Sequence, residues 1–167
     1  LFQQLKERRL YDRTLIIVTA DHGEEFYEHG GWGHGQSLFN ELLHVPLIMR
    51  YPPVLGGGKK LSPVARHIDL MPTILELCER PPASAMEGRS LVPLVQAGEP
   101  AMDSPPVYSE VFHGGSYASM VQLGHFKLIE AHSGSQEAWL LFDLAEDPAE
   151  QHPLDVNAHP MGSSLKQ

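Results

Sequence analysis

The sequence has only one cysteine, Cys78, among its 167 residues, so no disulfide can form within the chain. It also lacks an apolar run approaching the ~20 residues that a membrane-spanning helix needs. The chain opens with Leu1 and runs directly into helical sequence. We therefore interpret it as the later part of a longer protein, in which any targeting segment would lie upstream, and the compartment is left unassigned.

An excess of positive charge is also missing. Twelve Lys and Arg residues stand against 21 Asp and Glu residues, which gives a formal net charge of −9. This balance argues against nucleic acid or an anionic membrane as a partner. It leaves an anionic substrate open, because a bound metal ion can reverse the local field. The ten histidines favour metal or proton chemistry without locating it.

Three common catalytic signatures are absent: the G-x-S-x-G elbow, the Walker loop and the dinucleotide fingerprint. The glycine run at 56–58 is not followed by the Lys-Ser/Thr pair of a phosphate loop. Cys78 lies on the apolar face of a predicted helix, and we expect it to pack there as a small hydrophobic residue. The chemistry must therefore come from other side chains.

The pattern of apolar residues predicts an α/β chain that ends in a small antiparallel sheet. Residues 14–20 and 46–49 are apolar or β-branched runs, typical of strands buried on both faces in a parallel sheet. Helices are expected near the start of the chain and over 37–43, 69–78 (with Asp69 as the N-cap) and 91–95. Four β-like runs separated by turn residues follow at 107–111, 117–123, 126–131 and 139–143.

These elements predict three regions along the chain. Residues 1–104 would belong to the α/β core, residues 105–150 would form the antiparallel subdomain, and residues 151–167 would be a frayed polar tail.

Asp21 and His22 are the first candidates for a functional site, because they follow a predicted buried strand at the end where open α/β sheets place their chemistry. A carboxylate oxygen and an imidazole nitrogen together supply half of a divalent-metal site. The alternative is that Asp21 caps a turn and His22 is a hydrogen-bonded loop residue.

His29 and His34 are further candidates in the glycine-rich segment 27–35. The flanking glycines leave each imidazole uncovered, which suits binding of an oxyanion or protonation of a leaving oxygen. The alternative is a glycine loop with incidental histidines, in which Glu24, Glu25 or Glu28 forms a hydrogen bond with His29.

Five blocks in register resemble the sulfatases of the alkaline-phosphatase-like superfamily. The resemblance implies a sulfatase fold, of which this chain would be the C-terminal portion. The blocks are residues 16–24, residues 33–48 (through Gly33-His34-Gly35, Leu38, Asn40-Glu41 and 45–48), residues 67–75, residues 88–94, and residues 126–129 with 141–148.

The resemblance also implies roles for individual residues. Asp21 and His22 would be two ligands of a divalent metal, usually Ca²⁺ in sulfatases. His34 would contact the sulfate group of the ester as a substrate-binding and catalytic residue. A hydrated formylglycine, made from Cys or Ser, would attack sulfur. The substrate would be a sulfate ester of a small molecule or a glycan.

Two departures from the family pattern matter. The nucleophile motif C/S-x-P-x-R and the early acidic pair of the metal site are both absent from this sequence, and we expect both upstream. His44 stands where family members often carry Arg before Val-Pro. We therefore predict a sulfuric ester hydrolase as the parent and an inactive chain in isolation.

Two alternatives stay open. The parent could be a phosphodiester or phosphonate-monoester hydrolase of the same superfamily, and an Asp-His pair suits Mn²⁺ or Zn²⁺ better than Ca²⁺. The chain could also be a noncatalytic module that binds a metal or a partner. The oligomeric state is left unassigned.

Overall fold

A computed structural model of the protein describes residues 1–97 and 104–166. The chain divides into two compact units, each assembled from two separate segments. The first unit comprises Leu1–Thr19 and Leu47–Ser104, and the second comprises Ala20–Pro46 and Pro105–Gln167. The second unit contains every residue that we predicted for the site. The predicted boundaries between regions of the chain, at residues 104 and 150, stay a prediction.

The first unit contains a two-stranded sheet of β1 (Ile16–Val18) and β4 (Ile48–Arg50). The two strands are antiparallel, with Ile17 opposite Met49. Our expectation of a parallel, doubly buried arrangement was wrong for this pair, because an apolar β-branched run favours a strand but does not specify the direction of its partner. Val18 and Ile48 are 45% and 61% exposed.

Helices complete the first unit around a small apolar core. Leu55, Leu77 and Val92 are buried together, with Leu15 and Met49 packed against them. The helices are α1 (Phe2–Glu7), α3 (Leu70–Leu77) and α4 (Val92–Ala97), with 3₁₀ turns at Tyr11–Arg13 and His67–Asp69. The sequence predicted each of these α-helices.

Cys78 departs from its prediction. It is exposed, because α3 ends at Leu77 and Cys78 forms the C-terminal cap, where the side chain leaves the apolar face.

Asp69 precedes α3, as predicted, but its carboxylate does not cap that helix. It accepts hydrogen bonds from the Arg66 guanidinium at 2.8 Å and from the Arg89 backbone N–H at 2.9 Å. The helix and its N-cap position at Asp69 are therefore as predicted, but the carboxylate makes no capping hydrogen bond, because a strong cationic partner three residues earlier takes it. This buried ion pair joins the start of α3 to the 88–91 segment, where the Leu91 N–H also donates to Thr73 Oγ1.

The second unit is built on a four-stranded antiparallel meander. It consists of β5 (Val107–His113), β6 (Ser116–Leu123), β7 (Phe126–Ser133) and β8 (Gln136–Asp143). Gly115, Gly124 and Gly134 adopt positive φ in the tight turns between them, a conformation that favours glycine. The sequence predicted all four strands, each within a few residues of its observed ends.

One face of this sheet forms the apolar core of the second unit. Met120, Ile129 and Phe142 from the strands pack with Leu38, which precedes the short helix α2 (Asn40–Leu43). Segment 20–46 therefore rests on the sheet through apolar contacts and carries the candidate site. A small hairpin, β2 (Glu25–Phe26) and β3 (Trp32–Gly33), belongs to the same segment.

The C-terminal segment contains helix α5 (Pro160–Leu165), inside the region that we expected to be a frayed polar tail. His159 caps this helix by accepting a hydrogen bond from the Met161 N–H. No described helix has the length and apolar character needed to cross a bilayer.

We predict that Asp69 makes the first unit sensitive to acid. Burial opposes its ionisation, but the bonds from Arg66 and Arg89 outweigh burial and hold its pKa below the ordinary value of 3.8. A lowered folded-state pKa contributes stability above the unfolded pKa, and this contribution is lost as pH falls through the folded value. Urea titrations should therefore show the unfolding free energy falling below about pH 4.

Asp69→Asn should lose about 3 kcal/mol at pH 7, because Arg66 then lacks its anionic partner. The same variant should lose less stability than the wild type between pH 4 and pH 2. An unchanged acid profile in this variant would contradict the role assigned to Asp69.

Candidate active site

The candidate site lies on segment 20–46 of the second unit, around the β2–β3 hairpin. In this hairpin Glu25 pairs with Gly33 and Phe26 pairs with Trp32. The connecting turn is closed by hydrogen bonds from the Tyr27 N–H to the Gly31 carbonyl at 3.0 Å and from the Gly30 N–H to the Tyr27 carbonyl at 3.3 Å. The hairpin therefore holds the glycine-rich loop in one conformation.

A buried carboxylate shapes this loop from beneath. Glu25 is only 1% exposed. Its Oε1 accepts hydrogen bonds from the Gly31 N–H at 2.7 Å and the His29 N–H at 3.2 Å. A Cβ at Gly31 would lie 2.6 Å from Glu25 Oε2, so a side chain there would push the carboxylate out of place. The glycine is needed at this position for its lack of a side chain.

Glu24 lies immediately before β2 and is exposed, whereas Glu25, the first residue of β2, is buried. Glu24 Oε1 lies 2.7 Å from His34 Nδ1. The rings of His34 and His22 contact each other, with centroids 4.2 Å apart. Potential ligand atoms of His22, Glu24 and His34 all lie within 4.8 Å of one another. We call these three residues the His-Glu-His cluster.

His22 presents one ring nitrogen to the outside. Its Nδ1 lies 2.8 Å from the Gly23 carbonyl oxygen, which can only accept, so Nδ1 carries the hydrogen. In the neutral ring, Nε2 then has a free lone pair, the arrangement in which histidine binds metal ions. The bond to Gly23 raises the pKa of His22, and the Asp21 carboxylate acts in the same direction.

Asp21 stands beside this nitrogen. Its Oδ2 lies 3.7 Å from His22 Nε2, and its side chain is 89% exposed. The backbone N–H groups of Asp21 and His22 lower the pKa of Asp21, so it is ionised at neutral pH. Two ligands bound at 2.0–2.4 Å to one cation are separated by roughly 3–4.5 Å. The separation of these two atoms falls within that range.

The predicted site residues thus occupy two places. Asp21, His22 and His34 lie in or beside the exposed cluster. His29 is turned toward α2 instead, where its Nδ1 lies 2.6 Å from Glu41 Oε1 and its side chain is 12% exposed. The sequence had suggested three nearer glutamates as partners, and none of them takes the ring.

Glu24 is a cluster residue that sequence reasoning did not single out. The adjacent Glu24 and Glu25 look alike in sequence, and only the start of a two-residue strand at Glu25 distinguishes the buried side chain from the exposed one. A two-residue strand beside glycines gives too little periodicity for that assignment.

Gly23 brings the Asp21-His22 pair against α2. Its N–H donates to the Leu42 carbonyl at 2.8 Å. A Cβ at this position would lie 1.9 Å from the Glu41 carbonyl oxygen, well inside van der Waals contact. Only glycine fits this approach of two backbones, so the residue after His22 is fixed by packing.

Comparison with known proteins reveals a consistent set of matches. Residues 27–165 match the family model described as N-sulphoglucosamine sulphohydrolase, C-terminal. Human arylsulfatase K is 30% identical over 171 residues, which cover 98% of this chain and 32% of that protein. The N-acetylglucosamine-6-O-sulfatase of Bacteroides thetaiotaomicron is 28% identical over 148 residues, 84% of this chain and 26% of that protein.

Solved structures agree with these matches. A structure in complex with its substrate D-glucosamine-2-N,6-O-disulfate superposes with a TM-score of 0.88 at 25% identity, over 99% of this chain and 35% of that one. The phosphonate monoester hydrolase of Agrobacterium radiobacter superposes with a TM-score of 0.78 at 27% identity, over 99% of this chain and 35% of that one. The chain spans about a third of the length of these proteins.

We predict that Gly23→Ala disrupts the site. The added methyl group must separate Gly23 from Glu41, which breaks the bond to Leu42 and should destabilise the second unit by about 2–3 kcal/mol. Urea unfolding measures the loss, and the ring-proton NMR signals of His22 and His34 report the change at the cluster.

Gly57→Ala is the matched control, since a Cβ at Gly57 meets nothing within 4 Å. It should leave both measurements near wild type. Equal effects of the two substitutions would contradict the packing role of Gly23.

Proposed function

Because the chain belongs to the sulfatase family and matches its C-terminal region over residues 27–165, we propose that the whole protein is a sulfuric ester hydrolase. The observation that carries this proposal is the exposed His-Glu-His cluster beside the Asp21 carboxylate. Carboxylate and imidazole groups of this kind can bind a metal and an anionic ester together. The site residues below are part of the same proposal.

Sulfatases are metal-dependent enzymes, and we propose Asp21 and His22 as two ligands of the metal. The ionised carboxylate and the free Nε2 supply oxygen and nitrogen at a suitable separation. Family resemblance favours Ca²⁺, whereas the imidazole nitrogen favours a softer ion such as Mn²⁺ or Zn²⁺. When bound, the ion would supply positive charge to offset the negative charge of the reacting ester.

His34 is the proposed sulfate-binding residue. Its Nδ1 faces the Glu24 carboxylate, so Nδ1 carries a hydrogen and the ring has a fixed orientation. Nε2 of the protonated ring then donates to a sulfuryl oxygen or gives its proton to the departing alcohol. Glu24 acts as a positioning residue, because it fixes the ring through Nδ1 and leaves Nε2 available.

Other parts of the reaction need residues that this sequence does not contain. It has no C/S-x-P-x-R motif, so the formylglycine nucleophile of sulfatases would have to come from outside these 167 residues. We therefore propose that this chain supplies metal-binding and sulfate-binding groups and is inactive without that nucleophile.

A sulfated amino sugar is the substrate class that we favour. The description of the family model names an N-sulphoglucosamine sulphohydrolase, and one structural neighbour was solved with D-glucosamine-2-N,6-O-disulfate. The alternative is a phosphonate monoester, supported by the similarity to the Agrobacterium radiobacter hydrolase. A tetrahedral anionic group is common to both substrates, so the cluster alone suits either.

We predict that the parent protein hydrolyses D-glucosamine-6-sulfate faster than it hydrolyses a phenylphosphonate monoester at the same concentration. Asp21→Ala should lower kcat/KM by at least about 100-fold, and His34→Ala by about 10²–10³-fold, because each removes charge from the site. Steady-state kinetics of the parent with added Ca²⁺ or Mn²⁺ measure both effects.

His113→Ala is the matched control, since His113 is an exposed histidine at the end of β5, and it should retain wild-type kinetics. Preference for the phosphonate would favour the alternative. Turnover by the isolated chain, abolished by Asp21→Ala, would show that the missing nucleophile is not required.

A further inference from the structure

A buried ion pair links the sheet of the second unit to α2. Lys127 on β7 is 0% exposed, and its Nζ lies 2.6 Å from Glu150 Oε1. Nζ also donates to Asn40 Oδ1 at 3.1 Å, while the Asn40 N–H donates to Glu150 Oε2 at 2.6 Å. The two charged groups therefore hold the first residue of α2 from its side chain and from its backbone.

Glu150 is held in an unusual conformation to make these contacts. Its φ is +55°, in the left-handed region that non-glycine residues rarely adopt. Such a backbone persists only where the surrounding contacts require it. Its carboxylate contacts Lys127 and accepts a hydrogen bond from the Asn40 N–H, and its carbonyl oxygen lies within hydrogen-bond distance of His29.

His29 carries the same network into the glycine-rich loop. Its Nε2 lies 2.9 Å from the Glu150 carbonyl oxygen, and its Nδ1 lies 2.6 Å from Glu41 Oε1. A carbonyl and a carboxylate both accept, so these two contacts favour a ring with a hydrogen on each nitrogen, although the side-chain amide of Gln151 also lies 3.1 Å from Nε2. Burial opposes this charge, but the bonds to Glu41 and Glu150 outweigh it and raise the pKa of His29.

The network pairs two basic side chains with two acidic ones, Lys127 with Glu150 and His29 with Glu41. Burial lowers the pKa of Lys127, and the adjacent Glu150 carboxylate opposes that shift. A buried ion pair is weak support for stability, because apolar residues of equal size often stabilise as well or better. It does define geometry, since a buried charge is satisfied only at the position of its partner.

The elements joined by this network are those that carry the cluster. His29 lies in the turn between β2 and β3, five residues before His34. Glu41 belongs to α2. The backbone of α2 also contacts Gly23, the residue after His22. A shift of α2 or of the turn would therefore alter the separation of His22 and His34.

We propose that His29, Asn40, Glu41, Lys127 and Glu150 form a polar clamp that positions His34 and His22 relative to each other. The clamp residues are positioning residues, and none of them belongs to the cluster. The effect on catalysis rests on the proposed function. The effect on the geometry of the loop does not.

The test uses the full-length protein with Glu41→Gln, which keeps the shape of the side chain and removes its charge. Hydrogen–deuterium exchange of the amides of residues 27–35 should become at least about 10-fold faster, while the amides of β6 and β7 stay protected. With the sulfated sugar, kcat should fall about 10-fold at a temperature well below the unfolding midpoint, with a smaller change in KM.

A second variant covers the possibility that Glu41→Gln unfolds the second unit. Lys127→Met combined with Glu150→Gln removes both buried charges together and leaves an amide oxygen to accept from Asn40. It should show the same two effects. Asp69→Asn is the matched control, because it breaks a buried ion pair in the first unit and should change neither loop exchange nor kcat.

Unchanged loop exchange in both clamp variants would overturn the clamp, as would an equal loss of kcat in Asp69→Asn. If the wild-type protein has no sulfatase activity, the proposed function fails instead. Loop exchange then still decides whether the clamp exists.

Discussion

Three acidic side chains withdrawn from water impose order on the polar segments of this protein. Glu25, Asp69 and Glu150 are each no more than 2% exposed. A carboxylate in that position must be matched by donors or by a cation, since an unpaired charge there is very costly. Each carboxylate accepts hydrogen bonds from backbone N–H groups nearby. Glu25 binds the glycine-rich loop, Asp69 binds the 88–91 segment beside the start of α3, and Glu150 binds the start of α2.

This constraint explains how an exposed site can keep a definite geometry. His22, Glu24 and His34 are all accessible to solvent, and ion pairs between exposed groups contribute little to stability. The order comes from the layer beneath, where Glu25 binds the turn and Gly23 lies against α2. Exposed side chains on a fixed support are accessible to an ion or an ester and would lose little further entropy on binding.

The sequence predicted the parts of the fold that depend on local pattern. The four strands of the sheet and α3 have clear periodicity and turn residues, and the blocks around Asp21 and His34 carried the family resemblance. Contacts between distant residues were out of reach. Nothing local to His29 indicates Glu150, 121 residues away, and nothing in the 14–20 run specifies an antiparallel partner. The predicted burial of Cys78 was wrong because α3 ends one residue before it. Asp69 is at the N-cap of α3 as predicted, but Arg66 binds its carboxylate in place of the helix.

Because the chain carries a net negative charge, binding of an anionic ester depends on the charged groups at the site itself. With a net charge of −9, this chain repels an anionic ester at long range, so any attraction that it exerts has to be produced locally. The groups at the cluster suit that task in different ways. His22 has a raised pKa and an outward Nε2, while the ionised Asp21 beside it would attract a cation first. A cation held there would reverse the local field, and His34, fixed through Nδ1 by Glu24, would then need only its Nε2 to meet the ester. Under the proposed assignment the metal would bind before the substrate, because without it Asp21 and Glu24 would face the anionic group directly.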